Sequence, residues 1–459
     1  MNWTLLANSL LVAGASTGIA LALGLAVAVA MTAAPPALRR VLLVLTVAVL
    51  ALPSFLATNC WIDLLGVNGL LHRWLPLNIF STAGAVWILA LLFWPVPALA
   101  IWSAWQKLEP VHFEIDPQLR GASLFRYLLL PTAKSHLVVS GAVVFALALN
   151  NFAVPTILQV KVFTSEIWLQ FNANLDALAA AQLSWLVILP PVLLLLFFRG
   201  VEFSWPRETA GGIAQVFRRQ LGHPTLAGAT AVCCAILILS LLAPLAQLLG
   251  TPRTWAEFLP ALAAGRSAVL HSLLYAVSAT GLALVLAIAL ARVRALGWLW
   301  ILFFIPGVLL GIAAVSAFNH PVFDLFSRTA AIVIAVLLVR YFALARSITR
   351  TAIGSLDEHL LDSARLDGAR GMGLFRRIIL PQIAPQLAAA AYIVYVLCLW
   401  DVETILLVIP PGGETLALRI FNLLHYGHNA HVNALCLLLL LLALAPLVLF
   451  PIWKALRRT

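Results

Sequence analysis

Charge is what this chain has least of. Its 17 Asp plus Glu and 28 Lys plus Arg leave only 10% of 459 residues charged, where a soluble domain carries about 25%. That shortage excludes a water-soluble globular protein. Lysine is scarcer still: none of the four lysines follows a glycine, so the G-x-x-x-x-G-K-[ST] loop that cradles nucleotide phosphates is absent and energy from ATP must come through another chain. H-E-x-x-H is missing too, and no soluble stretch carries paired carboxylates, so no catalytic residue is expected. The five cysteines, Cys60, Cys233, Cys234, Cys398 and Cys436, lie in or beside apolar segments with no C-x-x-C spacing, which excludes a disulfide framework and a cysteine metal cluster. His425, His428 and His431 are too loosely spaced to read as metal ligands.

What the chain has in abundance is apolar sequence. Hydrophobic residues make up 63%, in runs near the length of about 20 residues needed to cross a hydrocarbon core of roughly 30 Å. The expected fold is an all-α polytopic membrane protein with about eleven spans, near 5-31, 41-62, 81-105, 136-157, 179-198, 226-249, 268-290, 298-318, 329-346, 386-407 and 432-453. The first span lacks a basic head and a small-residue cleavage site and reads as a retained helix. Placing the polar loops near 106-135 and 347-385, the 199-225 stretch, Arg39-Arg40, Arg292, Arg294 and the basic C-terminus on one side collects 21 of the 28 basic residues there. The positive-inside rule makes that side cytoplasmic and Met1 external, and the net charge of +11 then calls for no nucleic acid. Arg340, next to Tyr341 near the cytoplasmic end of its expected span, is expected to snorkel.

One polar, arginine-rich loop carries a spaced pattern: Asp362-Ser363-Ala364, three residues, Gly368, nine residues, then Ile378-Ile379-Leu380-Pro381. The small residues suit a short helix that another surface can approach closely. Gly368 suits its end, and Pro381 suits the first turn of the next helix. A second copy lies 250 residues upstream, where Gly121 to Pro131 (GASLFRYLLLP) aligns without a gap on Gly371 to Pro381 (GMGLFRRIILP). Gly121, Phe125, Leu130 and Pro131 are among the identical positions; the acid-small-small head is replaced by His112, Phe113 and Glu114, and Gln118 stands for Gly368. Ser9-Leu10-Leu11 matches Ser272-Leu273-Leu274, and Phe171-Asn172 matches Phe421-Asn422. The chain reads as an internal duplication: a first half at 1-198, a linker at 199-225 and a second half at 226-459, with an extra leading span near 226-249. That extra span restores orientation, so the repeats are expected to be parallel rather than inverted.

The loop at 362–381 resembles the cytoplasmic docking loop of type I ABC importer permeases, with Asp for Glu and Ser for the first Ala. The duplication resembles the fused permeases of the iron(III) and thiamine group. The resemblance covers most of the chain, although the first loop has lost its head and the first half lacks a leading helix. It implies a permease subunit of the bacterial inner membrane. Two cytoplasmic ABC ATPase subunits would grip the loops and bind ATP and Mg themselves, and a periplasmic binding protein would deliver substrate. No cofactor is expected in this chain. The alternatives are an ion-gradient-coupled secondary transporter and, more remotely, a membrane-embedded enzyme.

Few polar residues fall at membrane depth. Asn150-Asn151 and Asp401 with Glu403 occupy corresponding places, Asn151 aligning with Asp401 at the same offset of 250. Buried charge in hydrocarbon costs about 2.5–3.5 kcal/mol on insertion scales, so these four are candidates for a translocation path, with helix-end decoration as the other reading. Amides and acids there fit a cation or hydrated complex such as iron(III) better than a bare anion. The stretches 163–174 and 410–427 suit a lid or a surface for the binding protein.

Overall fold

The computed structural model describes residues 3–66, 77–106, 119–174, 213–318, 328–425 and 429–456, with a few single residues between them. Every regular element among them is helical. Seven helices are long and apolar enough to cross a membrane, or nine when each of two bent pairs counts as one span. Of the eleven expected spans, the one near 179-198 lies largely outside the described residues, and the last is described as a shorter apolar helix, His431–Leu447. The chain gathers into two compact units, one from Met1–Leu169 with Leu196–Pro252, the other from Gln170–Leu195 with Arg253–Thr459.

The first unit is built on α1 (Trp3–Ala33), followed by α2 (Pro36–Leu50), α3 (Ser54–Leu65), α4 (Thr82–Trp105), α5 (Ala122–Leu149), the start of α6 (Phe163–Asn174), a short amphipathic α7 (Ile213–Leu221) and α8 (His223–Gly250). In lipid, helices have no hydrophobic drive to associate and pack through small residues instead. On α1 the small residues Ala13, Ser16 and Ala20 are wholly buried. A Cβ at Gly24 would stand 2.7 Å from Pro97 and 2.9 Å from the Trp94 carbonyl, so only glycine lets α1 lie this close to α4. The extra helix α8 packs on α1; the Trp94 indole N–H donates to Ser240 Oγ at 2.9 Å.

The second unit comprises α9 (Pro252–Ala289), α10 (Leu296–Phe304), α11 (Gly307–Phe318), α12 (Ala330–Gly354), α13 (Glu358–Leu366), α14 (Gly371–Trp400), α15 (Leu416–His425) and α16 (Asn429–Leu456). Its core repeats the small-residue logic: Ala276, Ala279, Ala283 and Ala287 form a buried stripe on α9. They pack with Val333, Leu337, Val394 and Leu399 of α12 and α14.

Each unit repeats the other's internal details. Residues 125–129 and 375–379 both form a π turn directly before the helix that carries Pro131 or Pro381. Ser9 Oγ accepts from the Phe163 N–H at the start of α6 at 3.0 Å, and Ser272 Oγ accepts from the Leu416 N–H at the start of α15 at 2.8 Å. Asn151 Oδ1 accepts from the Val154 N–H at 3.0 Å, and Asp401 Oδ1 from the Thr404 N–H at 2.8 Å, the same turn 250 residues on.

Four of the expected spans need correction. The spans near 41-62 and 298-318 are broken, by 91° between α2 and α3 and by 109° between α10 and α11. Both breaks fall at a proline, Pro53 and Pro306. A residue before proline is pushed out of the helical region, and Ile305 is extended with ψ 138°. The spans near 136-157 and 386-407 stop early, at Leu149 and Trp400. Pro381 stands in the first turn of the α-helical stretch Leu380–Trp400, as expected, but that stretch is not a separate helix. A π turn hands the ladder from Phe375 O to the Leu380 N–H, five residues on, so α14 runs on from Gly371 through Pro381.

Candidate functional site: a docking loop and a buried charge cluster

The loop at 355–381 folds as its residues dictate. Asp357 caps α13, its Oδ1 accepting from the His359 N–H at 3.0 Å and the Leu360 N–H at 3.4 Å. Four residues beyond Ala364, Gly368 takes φ +85°. Its N–H donates to Arg365 O at 3.1 Å, and the Ala369 N–H donates to Ala364 O at 2.9 Å. This pair of bonds around a left-handed glycine is the Schellman ending, so Gly368 stops the helix as its spacing implied. A second positive-φ glycine, Gly371 at +53°, turns the chain into α14. The Asp357 N–H donates to Gln382 Oε1 at 3.3 Å and ties the start of α13 to the start of α14.

The loop presents a defined surface. Asp362 and Arg365 form an exposed pair at 2.9 Å, and Ser363, Gly368 and Pro381 are exposed beside them. Ala364 is buried, whereas Leu366 is 90% exposed and Met372 69%. Ile378 and Leu380 are half-buried on the π turn and its exit. Leu366 and Met372 are thus large apolar side chains held out on an otherwise polar loop.

In the first copy Gly121 takes φ +56°, matching Gly371. Phe125 is half-buried, and Leu130 and Pro131 are exposed. Of the substituted head, Phe113 is buried, while His112, Glu114 and Gln118 lie outside the described residues.

At the far end of α14 the second unit encloses a charge cluster. Asp401, whose side chain is 0% exposed, accepts from Arg340 Nη1 at 3.0 Å. Tyr341 OH and Thr404 Oγ1 also donate to it, both at 2.8 Å. Arg340 Nη2 reaches Glu403 at 3.2 Å, and Nη1 also donates to Thr404 Oγ1. The fit leaves room for nothing else: a Cβ on Gly307, at the α10–α11 break, would lie 2.0 Å from Arg340 Nη1 and 2.6 Å from Thr404 Oγ1. Gly311 lies one turn on, where a Cβ would meet the Thr404 carbonyl at 3.1 Å.

Arg340 therefore corrects the expectation that it snorkels. Helix α12 continues to Gly354 rather than ending near 346, so Arg340 sits well inside it, only 12% exposed, with two carboxylates in reach. Sequence reasoning placed Asp401 and Glu403 at membrane depth but missed their partner, although an arginine inside a span was itself a signal to look for an acid. Among the described residues the first unit shows no equivalent: Asn151 stands for Asp401, and it serves its turn through Val154. Asn150 is buried beside it.

Two further sequence features resolve simply. A G-x-S-x-G string at Gly14–Gly18 lies inside α1, with Ser16 Oγ donating to the Val86 carbonyl and no strand-to-helix elbow to expose a nucleophile. Of the three histidines, His431 reaches Glu257 at 3.5 Å, and His428 lies outside the described residues.

Comparison with known proteins gives the arrangement a family. Residues 279–456 match the family described as binding-protein-dependent transport system inner membrane component. A Fe(3+)-transport system permease protein of Haemophilus influenzae is 23% identical over 418 residues, 87% of this chain and 80% of that protein. A spermidine/putrescine transport system permease protein of Escherichia coli (strain K12) is 34% identical over 92 residues, 20% of this chain and 35% of that protein. The chain's second half is thus similar to the inner-membrane component of binding-protein-dependent transport systems, the chain over most of its length is similar to a Fe(3+)-transport system permease protein, and its described residues form an all-helical, multi-pass membrane protein.

Proposed function

We propose that this chain is the transmembrane permease subunit of an ATP-driven importer, passing iron(III) or a similar cation or complex from an external binding protein to the cytoplasm. Its carrying observation is the loop at 357–372: a capped helix closed by a left-handed glycine, with Leu366 and Met372 held outward. Two ATPase subunits, binding ATP and Mg, take the docking loops. The loops and C-terminus lie in the cytoplasm and the N-terminus outside. The two repeats are parallel halves at 1-198 and 226-459, joined by the 199-225 linker. Iron(III) is favoured by the likeness over most of the chain to the Haemophilus influenzae protein and by the amides and acids of Asn150, Asn151 and Glu403 as candidate path residues.

An ATP-bound state favours one arrangement of the partner pair, and the loops convert that preference into helix movement only through differential contact. Asp401 has a part distinct from lining an open path. Its oxygens are met by Arg340, Tyr341 and Thr404, so it fixes the end of α14 to α12. The same cage speaks against a carrier that cycles an ion on this acid. Uptake of radioactive iron(III) by cells expressing the intact system tests the reading. Uptake that persists when a protonophore collapses the ion gradient while ATP is maintained supports it; uptake that stops at once contradicts it.

A further inference from the structure

The end of α12 that leads into the loop at 355–381 gathers positive charge without an acid to meet it. Arg346 is only 5% exposed. Its Nε donates to the Leu290 carbonyl at 3.2 Å and its Nη2 to the Val293 carbonyl, so it ties the chain leaving α9 to α12. Carbonyls at the end of a helix favour a cation, and that contact accounts for Arg346 by itself. It does not account for the neighbours. Arg350 stands one turn further along α12 and is exposed, and Arg292 is exposed next to the Val293 that Arg346 holds. Like charges one turn apart on a helix repel. Among the described residues none of the three arginines is paired with a carboxylate.

The fold does not demand this charge. Helix α4 precedes Gly121–Pro131 as α12 precedes Gly371–Pro381, and from Thr82 to Trp105 it contains no Lys or Arg. A helix in that place therefore forms without arginines. The second unit keeps its three together, and a cluster of one sign without internal compensation is complementary to an anion.

The surroundings say which anion. At the start of α10 the chain makes a tight 3-10 turn, Arg294–Leu299, on which Trp298 is 59% exposed, with Val293 just before it 41% exposed. Indoles at the ends of spanning helices sit at the level of the lipid headgroups, and basic pockets between helices at that level suit anionic headgroups. We propose that Arg292, Arg346 and Arg350, flanked by Trp298, form a binding site for the phosphodiester headgroup of an anionic phospholipid. The headgroup neutralises the cluster and braces the joint between α9 and α12. This goes beyond the transport reading and holds whatever the chain carries.

The test is native mass spectrometry of the full chain released from nanodiscs that mix phosphatidylglycerol with phosphatidylcholine. The native chain is expected to retain phosphatidylglycerol in preference, and Arg292→Gln with Arg350→Gln to lower that preference several-fold, while Arg346 is left to hold α9. Arg292→Lys with Arg350→Lys is expected to restore it, and Arg39→Gln with Arg40→Gln, on α2 of the first unit, to leave it unchanged. A second arm needs no variant: phosphatidylglycerol is expected to raise the melting temperature in detergent where phosphatidylcholine and inorganic phosphate do not. In a third, benzoylphenylalanine at position 298 in cells is expected to give a lipid adduct. Equal retention by the native chain and the glutamine variant overturns the proposal. So does an equal melting shift with inorganic phosphate, which would make the site one for a free anion, and so does a protein adduct in place of lipid at 298, which would make it a contact for an acidic partner.

Discussion

At the scale of single residues, the strongest constraint is the Arg340–Asp401 pair. Removing one partner of a buried pair leaves an uncompensated charge and costs about 3–5 kcal/mol. Arg340→Met is therefore expected to lower the melting temperature in detergent clearly, and Arg340→Met with Asp401→Asn to recover part of the loss. Equal melting of all three proteins would show that the pair stores no coupling. Gly307 makes a sharper contrast. Its Cβ position lies 2.0 Å from Arg340 Nη1, whereas Gly14 on α1 has nothing within 4 Å. Gly307→Ala overpacks and costs about 1–3 kcal/mol. Gly14→Ala gains about 0.5–1 kcal/mol of helix propensity. Opposite signs in thermal melts are the expected result.

At the scale of elements, turn chemistry was legible and pairing was not. Gly368 and the start of the second repeat could be read because a left-handed position and a fixed spacing are local facts, and both occupy the places that the pattern required. The repeat of the π turn at 125–129 and 375–379 was not readable, since hydropathy does not separate a π turn from an α turn; Pro381 was thus read as the start of a separate helix. Breaks at Pro53 and Pro306 were missed because apolar sequence continues on either side of each. Arg340 was misplaced because its apolar run fades near 346 while its helix continues to Gly354. Asp357 offers a local check. Asp357→Ala removes the cap of α13 and is expected to cost about 0.5–2 kcal/mol, seen as faster amide exchange at 358–366 with exchange in α12 unchanged. Uniform protection in the variant would mean that the loop is held by something other than its cap.

At the scale of the whole molecule, duplication organises the chain. Each unit carries its own broken helix, its own serine accepting from the head of a later helix and its own π turn before the repeated proline, Pro131 or Pro381. They differ where function is expected to differ: among the described residues, a charge cage stands in one where amides stand in the other. That asymmetry was half legible, since the lost head of the first loop and the Asn151-for-Asp401 exchange stand in the sequence.

The central claim is that the loop at 357–372 binds an ATPase. Its most direct measurement is a pull-down of the intact chain in mild detergent, compared with Gly368→Trp. Nothing lies within 4 Å of a Cβ at Gly368, so the variant strains only the left-handed turn and is expected to insert and stay monodisperse. The account predicts a stoichiometric ABC ATPase with the native chain and its loss from the variant. A native chain that comes down intact with no ATPase, or a variant that retains one undiminished, would contradict it.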